Sequence, residues 1–97
     1  MLHTVNKSPF QNTSLTDCAR FIQPGDVLLL LEDGVFACQT GTSYSALVES
    51  LLQQVEVYAI RADIKARAVT QLVPGIQITD YAGFVDLVEK HKIHSWL

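Results

Sequence analysis

Apolar residues in this chain come in short blocks, and the spacing within each block changes from one to the next. Leu2 to Val5 is a short strand candidate, closed by turn chemistry at Asn6-Lys7-Ser8-Pro9. A helix is predicted from about Ser14, whose hydroxyl can cap the first turn, with Asp17 three residues on as a weak capping box. Leu15, Cys18, Ala19 and Ile22 recur at spacings of three and four and so share one buried face. Gln23-Pro24-Gly25 stops that helix, because Pro disfavours helix in the residue before it and Gly relaxes the exit.

The run Val27 to Leu31 shows no alternation, as expected of a central strand covered on both faces. It ends at the turn Glu32-Asp33-Gly34. After the apolar piece Val35 to Cys38, Thr40-Gly41-Thr42 is expected to start a second helix with the stripe Tyr44, Leu47, Val48, Leu51 and Leu52. Val55 to Ile60, rich in β-branched and aromatic residues, is a third strand. Asp63 to Val69 is a short helix with Asp63 near its positive end. Pro74-Gly75 precedes a fourth strand, Ile76 to Thr79. Asp80 is placed to cap a last helix, Tyr81 to His91, with Phe84, Val85, Leu87 and Val88 inward, before a tail ending in Trp96-Leu97.

Strands alternating with helices imply right-handed, parallel βαβ crossovers. The expected fold is one domain over residues 1–97, a small three-layer α/β/α sandwich. Its sheet is mostly parallel, four- or five-stranded, and wound like flavodoxin. Sites in such sheets lie beyond the carboxyl ends of the strands. The loops to search are therefore Asn6 to Thr13, Glu32 to Thr42, Arg61 to Asp63 and Asp80 to Tyr81.

Composition changes this picture in one respect. Apolar residues make up 48% of the chain and charged ones only 18%, below the roughly 25% usual for soluble domains. So little polar cover points to surface buried against other subunits. The net charge of −3 and the lack of any Lys/Arg run argue against direct nucleic-acid binding, which normally needs a basic stripe. The longest apolar run is far too short to span a membrane, and Met1-Leu2-His3-Thr4 does not resemble a secretory signal, so a cytoplasmic protein is expected.

Candidate chemistry is sparse. Cys18 and Cys38 lie in no metal-finger or C-x-x-C spacing and are expected as reduced thiols. Cys18 falls early in a helix, where partial positive charge favours thiolate, but on its apolar face, where burial opposes it. Thr40-Gly41-Thr42 faintly resembles a flavin-phosphate loop but is in the wrong place and short of glycine and hydroxyl residues, so no cofactor is expected. His91 and His94 have no third ligand at matching spacing, which leaves no metal site. Ser43 and Ser45 lack a nucleophile-elbow frame.

Several stretches resemble the TusB/DsrH family. They are Leu2 to Phe10, Gly25 to Val35, Tyr58-Ala59-Ile60 through Asp63 to Lys65-Ala66-Arg67, Ile78 to Leu87, and the ending Trp96-Leu97. The resemblance implies a subunit of a persulfide-relay complex, a dimer of heterotrimers such as TusBCD or DsrEFH. Its partners would be TusC-like and TusD-like (or DsrF-like and DsrE-like) chains. TusA-like and TusE-like proteins would stand before and after it in a relay ending at the 2-thio group of wobble uridine in tRNA, or in sulfur oxidation for the DsrEFH kind. The principal persulfide cysteine of such complexes belongs to a sister subunit, so this chain is expected to be a non-catalytic or auxiliary subunit. DsrH-type members carry a cysteine within a stretch similar to Ser14 to Phe21, which makes Cys18 the candidate persulfide residue here.

Overall fold

The computed structural model describes residues 1–97. Five strands form one parallel sheet: β1 Leu2–Val5, β2 Val27–Leu30, β3 Glu56–Ile60, β4 Gln77–Thr79 and β5 Ile93–Trp96. Four α-helices connect them: α1 Ser14–Phe21, α2 Ser45–Leu52, α3 Arg61–Ala66 and α4 Tyr81–Lys90. A 3₁₀ helix covers Glu32–Cys38. This is the parallel α/β sandwich expected, with the apolar tail supplying the fifth strand.

The strand order is β4-β3-β2-β1-β5. The first three crossovers step across the sheet in one direction, and only the crossover from β4 to β5 runs back. A flavodoxin-like sheet makes its reversal after the second strand; here it comes after the fourth. Because a right-handed crossover places its helix on a face set by the direction of travel, α1, the 3₁₀ helix, α2 and α3 share one face and α4 has the other to itself.

The core divides accordingly. A cluster of 17 buried residues joins Leu28 and Leu30 to Leu15 and Cys18 of α1, Val48 and Leu51 of α2 and Ile64 of α3. On the opposite face four buried residues, Leu2, Val27, Leu29 and Ile60, pack against Phe84 and Leu87 of α4. Successive side chains of β2 point to opposite faces, so its unbroken apolar run feeds both clusters. Each fully buried leucine contributes about 1.5–3 kcal/mol.

Several local expectations are corrected. Ser14 does not cap α1 but is its first residue. Asn12 Oδ1 accepts the Ser14 N–H at 2.7 Å and a hydrogen bond from the Ser14 hydroxyl. Helix α2 begins at Ser45, later than the Thr40-Gly41-Thr42 start expected, because Gly41 takes φ 75° and the Thr42 N–H is spent on Ser45 Oγ at 3.0 Å. The piece Val35 to Cys38 continues the 3₁₀ helix. Asp80 caps α4 as expected, its Oδ1 accepting the Gly83 N–H at 2.8 Å. Val85 and Val88, however, do not face inward; they are 55% and 38% exposed. A lone helix on a sheet can seat only one stripe, and Phe84 and Leu87 take that place.

Gly34 lies against β1, where an added Cβ would overlap the Val5 carbonyl oxygen. Gly34→Ala should therefore destabilise the fold by about 1–3 kcal/mol, the range for overpacking. Urea unfolding followed by circular dichroism checks this, and an unchanged midpoint would show that the backbone gives way freely.

Candidate functional site

The loops beyond the carboxyl ends of the strands do converge. Their centre is Asp63, 9% exposed, in the first turn of α3. Its Oδ2 accepts the Glu32 N–H at 2.8 Å and the Tyr81 hydroxyl at 3.0 Å, and Arg67 Nη1 lies 3.6 Å from its Oδ1. One carboxylate thus ties the exit of β2, the exit of β3 and the start of α4. Glu32 adopts φ 49°, a left-handed conformation costly for a residue with a Cβ, and the Asp63 carboxylate holds its N–H there. Arg67 also donates to Asp33 Oδ1 at 2.7 Å. Burial, and then the hydrogen bond to Asp63, raise the Tyr81 phenol above its ordinary value. Asp33, Asp63, Arg67 and Tyr81 are thus engaged with one another. Asn6 Oδ1 alone is buried there without a partner.

Neither cysteine reaches this pole's surface. Cys18, on the second turn of α1, is 0% exposed within the larger cluster, and Cys38 is buried at the end of the 3₁₀ helix. Burial, with a smaller contribution from the Asp26 charge, pushes the Cys18 thiol up to about 12. Burial alone pushes Cys38 up to about 12. The helix-terminal field fades within about a turn, so desolvation decides the balance at Cys18 and the thiolate is disfavoured.

The sequence reading missed a constellation at the opposite end of the sheet. His3, on β1 and 3% exposed, accepts the Trp96 indole N–H on Nδ1 at 3.1 Å. Since indole only donates, the His3 proton sits on Nε2, which donates to Asp26 Oδ2 at 2.9 Å. Asp26 also accepts the Gln23 N–H at 3.0 Å and faces the Met1 ammonium at 3.1 Å. These contacts hold the Asp26 carboxyl down at about 2, against a desolvation cost that pushes the other way. His94, considered above with His91, lies on β5 with its ring centroid 4.4 Å from that of Trp96, while His91 follows the end of α4. Two strands from opposite ends of the chain and the turn before a third supply this cluster, so no spacing rule could have assembled it. The only sequence signals were a histidine inside an apolar strand and an acid just before the central one.

The family model described as DsrH like protein matches residues 7–93. Protein TusB of Escherichia coli strain K12 is 44% identical over 96 residues, covering 94% of each chain. Protein TusB of Shigella flexneri is 44% identical over 97 residues, covering 95% of each. Among solved structures, the ychN protein from E. coli superposes with a TM-score of 0.82 at 17% identity, covering 97% of both chains. The protein MTH1491 from Methanobacterium thermoautotrophicum, described as of unknown function, gives 0.73 at 16% identity over 97% of this chain and 95% of that one. At those identities the two structures show a common fold.

The Asp26 network predicts a pH dependence. Asp26 ionises at about 2 in the folded chain and near 4 when unfolded. A depressed carboxyl contributes stability that is complete above the unfolded value and is lost as pH falls towards the folded one. Stability should thus drop by about 2 kcal/mol between pH 5 and 2 through this group, and Asp26→Asn should remove that part of the drop. Urea unfolding at stepped pH measures it; equal pH slopes in both proteins would refute the assignment.

Proposed function

This chain belongs to the DsrH-like family, and from that premise we propose that it is a structural subunit of a cytoplasmic persulfide-relay complex of the TusBCD kind. In this reading the complex serves 2-thiolation of wobble uridine in tRNA. TusC-like and TusD-like chains surround the subunit as a dimer of heterotrimers, between TusA-like and TusE-like proteins in the relay. The 44% identity to Protein TusB of E. coli supports the TusBCD branch.

The observation that carries the structural role is the contrast between thiols and surface. Both thiols are buried and held at about 12, so neither is a ready nucleophile. A stripe of Tyr81, Val85 and Val88, at helical spacing on α4, is exposed instead. Exposed apolar stripes of this kind mark contact surfaces, and this one lies on the sheet face covered by a single helix. A subunit that docks through α4 and leaves sulfur chemistry to a sister chain fits both features. No helix is long and apolar enough to cross a membrane.

A second reading has Cys18 itself carrying persulfide, in a DsrEFH-like complex for sulfur oxidation. It is favoured by the DsrH family match and by the place of Cys18 in the first helix. It requires α1 to move, since attack needs an exposed thiolate.

One measurement separates these readings, and a second tests the docking surface. Intact-mass spectrometry after incubation with a sulfur donor should show no gain of about 32 Da, the mass of one persulfide sulfur, on this subunit. A gain abolished by Cys18→Ser would establish the carrier reading in its place. In co-expression, Val85→Asp should prevent copurification with TusC-like and TusD-like chains while leaving the far-ultraviolet circular dichroism of this subunit unchanged. Normal copurification of that variant would rule out α4 as the docking surface.

A further inference from the structure

A cleft of about 570 Å3 opens beside the His3 network, lined chiefly by His3, Phe21, Asp26, His94 and Trp96. Its size falls within the range of small-ligand sites. Three rings form its wall: Trp96 stacks on Phe21 with centroids 5.7 Å apart, and the His94 ring lies 4.4 Å from Trp96. The wall is pre-set, because the Trp96 indole is fixed by its hydrogen bond to a buried histidine.

Asp26 is the one carboxylate on this lining, and the bonds that depress it to about 2 keep it ionised. A carboxylate offers about four acceptor positions; the His3 ring, the Gln23 N–H and the Met1 ammonium take three. A carboxylate beside electron-rich ring faces repels anions, and a neutral apolar guest would strip water from its one remaining acceptor position without replacing that hydrogen bond. An organic cation satisfies both, its charge meeting the carboxylate and its carbon-bound hydrogens meeting the rings. The cation already seated there is the chain's own terminal ammonium, 3.1 Å from Asp26 Oδ1.

We infer that this cleft is a socket for an organic cation, the guanidinium or ammonium group of a basic side chain presented by a partner chain. The cleft lies beside β5, an outer strand of the sheet with no neighbour on its far side. Phe21, 64% exposed, stands at the rim. A neighbouring chain approaching that edge reaches the cleft with one long side chain, whose methylenes lie along Phe21 and Trp96 while its charge reaches Asp26. The net charge of −3 favours approach of a basic surface. This chemistry is independent of whether the complex moves sulfur.

Trp96 is the only tryptophan, so its fluorescence reports on the cleft directly. The full-length chain is titrated with N-acetyl-arginine amide, and in parallel with N-acetyl-citrulline amide, which has nearly the same shape but no charge. A saturable change in the low millimolar range is expected for the arginine compound and none for citrulline. Phe21→Ala, at an exposed position that leaves the fold intact, should weaken binding about threefold, and Asp26→Asn about tenfold. Equal responses to the two compounds, a change that never saturates, or unaltered binding by both variants would each overturn the socket. The same titration on the complex assembled with TusC-like and TusD-like chains identifies the source. A lost response means that a partner's side chain fills the cleft, whereas undiminished affinity overturns that occupant in favour of a free small cation. If no complex assembles, the relay reading fails while the titration of the free chain still decides the socket.

Discussion

The structure depends on burying β2 on both faces at once. Val27 and Leu29 lie on one side and Leu28 and Leu30 on the other, all essentially without solvent. A strand of that kind needs helices above and below it, and parallel neighbours joined by right-handed crossovers are the way a short chain supplies them. With a single reversal, after β4, all but one of the helices fall on one side. The remaining face depends on α4, whose inner stripe of Phe84 and Leu87 closes over Leu2, Val27 and Leu29. One helix is enough to seal the core but too little to cover its own flank, and the exposed apolar stripe follows from that economy.

The two ends of the sheet have been put to different uses. At the carboxyl ends, where parallel α/β proteins usually keep their chemistry, the carboxylate of Asp63 is occupied in joining three connections and steadying Glu32 in a left-handed turn. Both cysteines are buried in the core, with pKa values near 12. At the amino ends, the turn before β2 and the outer strand β5 surround an open, ring-lined cleft with an ionised carboxylate. The structural role proposed above fits such a division, since a chain whose thiols are buried offers its neighbours a surface and not a nucleophile.

The sequence by itself determined the class of fold, the sequence of elements and the central strand. Those features are written in local pattern: an unbroken apolar run, stripes at helical spacing, a Pro-Gly stop after the first helix, an aspartate placed to cap the last. It also determined family membership, carried by blocks spread along most of the chain. What it left to the tertiary structure was every matter of direction. Whether Val85 and Val88 face in or out depends on how many helices share their face, and that depends on where the winding reverses. Whether Cys18 is a thiolate or packing depends on desolvation against a helix-end field, a balance set by neighbours far along the chain. The meeting of His3, Asp26 and Trp96 was beyond any spacing rule, because residues 93 positions apart are joined there by a single hydrogen bond. Periodicity records what each segment must bury; only the packed chain decides against what.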